Sequence, residues 1–174
     1  MVQSPDEEDI ALMLRVAAGD KAAFAKLFDR HQRSIVRLCE RFVKSHAQAE
    51  ELAQDVFVKL YRNASGYRPT ARFKTFLFRI ATNHCLNEVR RTPLQLERST
   101  SVDDDRDTQE INIPSATTPH ETLEARELER AINLALTNMS VRERAAFTLC
   151  RFEGLSYADI ALVLNATESA IKSL

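Results

Sequence analysis

The scarcity of glycine is the feature of this sequence that most restricts its fold. Only 3 of its 174 residues are glycine, whereas average usage of about 7% would give roughly 12. Doubly wound sheets, P-loops and dinucleotide-binding turns need glycine where the backbone meets phosphate. Sandwiches and barrels need residues with positive φ at many tight turns, whereas helices need them mainly at their ends. The sequence therefore predicts an all-α protein.

Length, termini and cysteines restrict the class of protein further. A chain of 174 residues forms one ordinary domain or two small ones. No apolar run approaches the ~20 residues of a membrane span, and the acidic first ten residues lack the basic start of a secretory signal. Cys39, Cys85 and Cys150 are three thiols without CxxC spacing, which is typical of a reducing compartment. We therefore expect a cytoplasmic protein that is not inserted in a membrane.

Apolar residues at helical spacing predict a four-helix N-terminal domain over residues 1–91. The first apolar stripe ends at Gly19, and Asp20 is a good N-cap for the second helix. The fourth helix is expected to end at Arg91, because Pro93 cannot continue it. The second, third and fourth helices are expected over residues 21–44, 47–63 and 72–91.

A change of composition marks residues 92–120 as a flexible acidic linker. This segment contains three prolines, many Ser and Thr residues and the acidic run 103–105, with few large apolar groups. Helical spacing returns in residues 121–174, where Ser140 and Glu143 have the spacing of a capping box. The sequence therefore predicts two small helical domains joined by a linker.

The end of the chain has the pattern of a helix-turn-helix. Ser156 is expected to cap a helix over 157–164, Asn165 to form a left-handed turn, and Thr167 to cap a last helix. Polar residues on that last helix would be free to enter a DNA major groove. Two packed helices without a role in DNA binding remain an alternative, because short helical hairpins are common.

The predicted fourth helix combines basic and aromatic residues. Between residues 68 and 91, six basic residues stand against Glu88 alone, and Phe78 falls off the apolar stripe. Basic side chains interleaved with aromatic rings suit single-stranded nucleic acid, since cations follow phosphates while rings stack on bases. Asn83, one turn after Arg79, can hydrogen-bond a base edge. The alternative is that these phenylalanines are simply core residues.

Catalytic and metal-binding patterns are weak in this sequence. The four histidines are scattered, and no nucleophile–base pair is readable. We therefore expect no metal, no cofactor and no catalysis.

Four further segments stand in order along the chain: AEELAQDVFVKLY at 49–61, FKTFLFRIATN at 73–83, MSVRERAAF at 139–147 and EGLSYADIA at 153–161. Together they resemble the extracytoplasmic-function group of bacterial RNA polymerase sigma factors. The resemblance covers almost the whole chain and implies a transcription initiation factor, regulated by an anti-sigma factor, that directs core RNA polymerase to promoters and helps to melt their minus-ten element.

The resemblance also implies roles for individual residues. Polymerase binding would fall to the first segment, minus-ten DNA binding to the second and its flanks, and minus-thirty-five binding to the last helix. Family members continue that helix with a basic stretch, so the resemblance implies a recognition helix truncated at Leu174. The implied polymerase-binding residues are Glu51, Gln54 and Asp55; the minus-ten residues are Arg72, Lys74, Phe76, Phe78, Arg79, Asn83, Arg90 and Arg91; the minus-thirty-five residues are Thr167, Glu168, Ser169, Lys172 and Ser173.

Two other classes of function remain open at the level of sequence. A conventional helix-turn-helix regulator would bind duplex DNA tightly without polymerase, whereas a sigma factor would bind weakly until core enzyme is present. A pure interaction protein would use both the basic segment and the terminal helices for packing. In the sigma-factor interpretation, the acidic linker would thread through the polymerase as an imitation of nucleic acid.

Overall fold

The computed structural model describes residues 5–43, 45–99 and 139–173. This part of the chain is helical and contains no strand, which confirms the all-α prediction. Its elements are α1 (Pro5–Ala17), α2 (Lys21–Glu40), α3 (His46–Arg62), a 3-10 turn (Ala64–Gly66), α4 (Phe73–Ser99), α5 (Val141–Arg151), α6 (Tyr157–Leu164) and α7 (Glu168–Lys172).

Local capping explains where most of these helices begin. The Asp20 carboxylate accepts hydrogen bonds from the backbone N–H groups of the first turn of α2. Ser140 and Glu143 form the reciprocal capping box at the start of α5. Such caps satisfy backbone donors that a helix leaves unpaired at its N-terminus. The sequence could predict these starts because each depends only on neighbouring residues.

The turns between helices use left-handed backbone at three positions. Gly19 and Gly154 have φ values of +93° and +66°, and Asn165 has a φ of 50° between α6 and α7. Glycine and, less often, asparagine adopt this region at low cost. The helix-turn-helix prediction is confirmed over residues 156–173, since Ser156 and Thr167 also cap their helices.

The fourth helix is longer than expected. It runs through Pro93 to Ser99, so the expectation that Pro93 ends it at Arg91 is wrong. An internal proline removes one backbone hydrogen bond and clashes with the preceding turn, at a cost of about 3 kcal/mol. A long helix can absorb that cost by bending. The beginning of the expected linker is therefore helical, while residues 100–138, which include the rest of that linker and the start of the expected C-terminal domain, lie outside the described residues.

The core of the N-terminal half lies between α1, α2, α3 and α4. Its largest fully buried side chains are Met13, Leu27, Ile35, Leu38, Val56, Leu60, Phe73, Phe78 and Leu77. A charged cluster joins α1 to α2: the buried carboxylate of Asp9 pairs with Arg30 and lies 2.7 Å from Nε2 of His31. The His31 ring in turn packs against Phe73, with ring centroids 5.4 Å apart.

The C-terminal half packs around a smaller core. Ile160 and Leu164 of α6 and Ile171 of α7 are buried together, as the sequence predicts. Arg142 of α5 donates a hydrogen bond of 2.7 Å to the carbonyl of Leu164, which ties α5 to the end of α6. This half contacts α4 of the N-terminal half through α6.

We expect the three thiols to react at very different rates. The Sγ atoms of Cys39 and Cys85 are 3.5 Å apart and fully buried, whereas Cys150 is partly exposed. The hydrogen bond to Cys39 and burial raise the pKa of the Cys85 thiol, so its reactive thiolate is suppressed. In native protein, a chromogenic disulfide reagent should modify one thiol at least about 100-fold faster than the other two, whose reaction requires opening of the fold.

The variant C150S should lose that fast phase, and denatured wild type should show three equally reactive thiols. Rapid reaction of two thiols in native protein would contradict the arrangement of α2 and α4.

Candidate nucleic-acid and polymerase interfaces

The side chains proposed to bind the minus-ten element lie on two sides of α4. Arg72, Phe76, Arg79, Asn83 and Arg90 have spacings of four, three, four and seven residues, which align them on one helix face. We call this set the α4 stripe. Its four polar members are exposed, and Phe76 is partly exposed. The ring of Phe76 is supported from below by Tyr67, with centroids 4.9 Å apart.

The second side of α4 faces the C-terminal half. Thr75 donates a hydrogen bond of 2.8 Å to Asp159 at the start of α6. Phe78, three residues later, lies on the same side of the helix and is completely buried. The expectation that Phe78 is available among exposed basic residues is therefore wrong for this structure. Lys74 is half-buried, with its ammonium 5.4 Å from the centre of the Phe78 ring.

Arg91 is exposed one residue beyond the stripe and forms a long ion pair of 3.8 Å with Glu88. Of the eight candidate minus-ten residues, the structure thus presents six on an accessible surface, buries Phe78 completely and bonds Lys74 to Glu153 of the C-terminal half.

The candidate minus-thirty-five residues are all on or beside α7. Each of the five is exposed. Thr167 caps the helix by accepting a hydrogen bond from the N–H of Ala170, and Lys172 pairs with Glu168 at 2.8 Å. All five residues are therefore exposed to solvent, and two of them, Glu168 and Lys172, are paired with each other.

The candidate polymerase-binding residues share one exposed face of α3. Gln54 and Asp55 lie three and four residues after Glu51, so the three side chains are neighbours. Asp55 also contacts α4, since its carboxylate lies 3.3 Å from Nε2 of His84 on that helix. The other ring nitrogen of His84 is 2.6 Å from the ammonium of Lys59. We call this contact the His84 bridge.

An apolar groove continues this face and was not expected from the sequence. Its volume is about 380 Å³, and Val58 and Tyr61 on its wall remain 44% and 40% exposed. Helix α2 supplies the other wall, and the aromatic rings meet edge to face. The sequence contains one indication of this groove. Val58, four residues after Gln54, is an apolar residue on a helix face that is otherwise polar. The lining residues are Phe24, Phe28, Gln54, Phe57, Val58, Tyr61 and Arg62.

Two carboxyl groups of the C-terminal half have perturbed acidity. Burial raises the pKa of Glu153, against the opposing effect of Lys74 and two arginines on α2 and its end. Burial also opposes ionisation of Asp159, but hydrogen bonds from Ser156 and Thr75, together with Arg72, outweigh it and lower its pKa. Both carboxyl groups thus face cationic residues of the N-terminal half.

The described residues contain no group of three His, Cys, Asp or Glu side chains arranged to hold a metal ion. Over the same ranges, no helix combines the length and apolar character needed to cross a bilayer.

Family models match both halves of the chain. Residues 27–93 match Sigma-70 region 2, and residues 129–174 match Sigma-70 region 4. The first match covers α3 and the whole α4 stripe, and the second covers the helix-turn-helix.

Whole-chain relatives give the same result. The chain is 33% identical to the RNA polymerase sigma-H factor of Pseudomonas aeruginosa, over 96% of this chain and 88% of that one. It is 30% identical to the ECF RNA polymerase sigma-E factor of Haemophilus influenzae, over 95% of this chain and 88% of that one.

Two solved structures share the fold. CnrH, solved with the cytosolic domain of CnrY, has a TM-score of 0.69 at 20% identity, over 95% of this chain and 88% of that one. The sigma factor RpoE of Bartonella quintana, solved with the anti-sigma factor NepR, has a TM-score of 0.68 at 21% identity, over 86% and 88%. Together with the α4 stripe and the helix-turn-helix, the sequence relatives show that this chain belongs to the extracytoplasmic-function group of RNA polymerase sigma factors.

Proposed function

We propose that the chain directs core RNA polymerase to promoters by dividing the work among three surfaces. The α3 face with its apolar groove docks on the polymerase, in the family's case on the clamp coiled coil of the largest subunit. The α4 stripe receives the melted strand of the minus-ten element. The α7 surface contacts the minus-thirty-five duplex.

The observation that supports this proposal most strongly is the α4 stripe. Three arginines, an asparagine and a partly exposed ring share one face of a helix. Arginine attracts phosphate, the Phe76 ring can stack on an unstacked base, and Asn83 can bond its edge. Extruding a base costs a few kcal/mol, which stacking and hydrogen bonding of this kind can offset. Because polymerase performs the chemistry, the chain itself needs no catalytic group.

The same proposal assigns the parts of the chain. Residues 1–91 would form the polymerase- and minus-ten-binding domain, 92–120 the linker, and 121–174 the minus-thirty-five-binding domain. The acidic linker would follow a basic channel of the polymerase, and the protein would act in the cytoplasm, where polymerase and promoters are. Anti-sigma regulation is part of the proposal, since a competitor that covers the α3 groove or the α4 stripe would block docking or strand capture.

Reconstituted transcription tests the role of the α4 stripe. The variant N83A should reduce open-complex formation about 10- to 100-fold, because a base contact of this kind is worth about 1–3 kcal/mol. Its binding to core enzyme should be unchanged. The measurement is promoter-directed initiation from linear template, with permanganate reactivity reporting melted thymines.

The matched control is N63A, which changes an exposed asparagine at the end of α3 and should initiate like wild type. Normal melting by N83A would exclude Asn83 from strand capture. Tight duplex binding by the wild-type chain without core enzyme would instead favour a conventional helix-turn-helix regulator.

A further inference from the structure

Two buried cysteines meet where α2 packs on α4. Cys39 lies in the last turn of α2, and Cys85 lies near the middle of α4. Their Sγ atoms are 3.5 Å apart although the residues are 46 positions apart in the sequence, and neither side chain is exposed to solvent. The surfaces proposed for polymerase and DNA use neither thiol. The pair is therefore a reactive group to which the proposed function gives no role.

Short side chains lie at this level of the contact between the helices. Ala81 stands one turn before Cys85 on the same face of α4 and is also completely buried. Because the separation of packed helices depends on the side chains between them, short side chains bring the two backbones close. The sulfurs need to approach by only about 1.5 Å to reach the ~2.05 Å of a disulfide bond. Rotation of the two side chains about χ1 can share that movement.

The hydrogen bond between the thiols gives each of them a separate step in oxidation. Cys85 donates its S–H to Sγ of Cys39. This bond and burial raise the pKa of the Cys85 thiol, so Cys85 keeps its proton while Cys39 is free to act as the first nucleophile. Cys85 lies at contact distance from that first sulfur, where it can attack an oxidised form of it. The two residues thus have the roles of a peroxidatic and a resolving cysteine.

We propose that Cys39 and Cys85 form an oxidation site, at which hydrogen peroxide converts the two thiols into a disulfide that joins α2 to α4. The sulfur of Cys39 attacks peroxide, the O–O bond breaks, and Cys39 sulfenic acid and water are formed. The sulfur of Cys85 then attacks the sulfenic sulfur, the S–O bond breaks, and the leaving hydroxide takes the Cys85 proton as a second water. Two thiols are oxidised and one peroxide is reduced, so the reaction balances.

Burial controls this reaction in both directions. Peroxide reaches the pair only when the contact between α2 and α4 opens locally, so a brief exposure leaves the thiols reduced. Once formed, the disulfide is shielded in the same way from reducing thiolates, which must reach one of its sulfurs. An exposed disulfide is soon reduced in a reducing compartment, whereas this one persists after the oxidant has gone. The site therefore records prolonged oxidation.

The disulfide also changes the stability of the N-terminal half. It closes a loop of 46 residues that contains α3 and the first half of α4. A closed loop restricts the unfolded chain and thereby stabilises the folded one. We expect the Tm of the oxidised N-terminal half to be roughly 10 °C above that of the reduced protein.

The test treats the whole chain carrying the variant C150S with hydrogen peroxide. C150S removes the partly exposed third thiol, so a disulfide within this protein can only join the two buried cysteines. Intact mass should fall by two hydrogen atoms, and a non-reducing tryptic map should show peptides 38–41 and 80–90 joined. Dithiothreitol should reduce the folded product at least about 100-fold more slowly than the product unfolded in urea.

The matched control is the double variant C39A/C150S, which keeps Cys85 but lacks the first nucleophile. After the same treatment it should show neither the loss of two hydrogen atoms nor the rise in Tm. Thermal unfolding followed by far-UV circular dichroism measures the rise. Should the double variant fail to fold, the mass, peptide map and Tm of C150S decide alone, because Cys39 and Cys85 are unchanged in that protein.

Three results would overturn this inference. They are a C150S protein that stays reduced in peroxide until it is fully unfolded, oxidation of Cys39 to sulfinic acid without a disulfide, and a disulfide that leaves the Tm unchanged. Since these measurements involve neither DNA nor polymerase, they stand apart from the proposed function. Loss of strand capture in N83A would support that function even if no disulfide forms.

Discussion

The variant D9A is expected to destabilise the N-terminal half by about 2 kcal/mol, within the range that leaving a buried hydrogen-bonding group without its partner costs. Asp9 is only 4% exposed and serves both Arg30 and His31. Alanine would leave the 12%-exposed imidazole of His31 without its acceptor, directly beside Phe73 in the core. For a domain of this size the change should lower the Tm by roughly 10 °C or more.

The measurement is thermal or urea unfolding followed by far-UV circular dichroism. E8A is the matched control, since Glu8 pairs with the same arginine at 3.2 Å but on an exposed surface. Exposed pairs contribute about 0–1 kcal/mol, so E8A should remain close to wild type. Equal effects of E8A and D9A would show that the attachment of α1 does not depend on the buried carboxylate.

The variant V58D is expected to weaken binding to core polymerase by about 30-fold or more while the chain stays folded. Val58 lies on the wall of the apolar groove and is 44% exposed, so aspartate there can remain hydrated in the free protein. When a partner fills the groove, the carboxylate must be desolvated. Burying an unpaired charge costs several kcal/mol even after the surroundings relax.

Anisotropy titration of labelled chain with core enzyme measures this loss, and circular dichroism verifies the fold. L14D is the matched control, because Leu14 of α1 is 46% exposed and is not one of the residues that line the groove. It should bind core enzyme like wild type. Wild-type affinity of V58D, or equal loss in L14D, would remove the groove from the docking surface.

Short-range features of this fold could be predicted from the sequence because their causes are local. The caps at Asp20, Ser140 and Ser156 each bond to backbone groups within three residues. Asn165 adopts its left-handed turn beside the helix that it ends. The rule that proline ends a helix fails at Pro93, because a long helix such as α4 can lose one backbone hydrogen bond and still continue.

The partly wrong assignments concern contacts between distant residues. Periodicity places Phe78 off the apolar stripe of α4, but it cannot show what covers that side. The structure shows Phe78 completely buried, on a side of α4 where Thr75 bonds to Asp159, a residue 84 positions away in the sequence. The α3 groove was missed for the same reason, since Phe24 and Phe28 on its second wall come from α2. Likewise, the sequence shows Asp9 only as part of an acidic terminus, because its partners are about 20 residues away.

The His84 bridge has a consequence for the cost of assembly. Asp55 and Lys59 of α3 both contact His84 of α4. His84 directly follows Asn83 in the sequence. When polymerase binds the α3 face, as proposed, α4 with its strand-binding stripe is therefore already held at a fixed distance and angle from that face. The conformational entropy of positioning that helix has already been lost during folding of the chain, so it is not subtracted from the free energy of promoter capture.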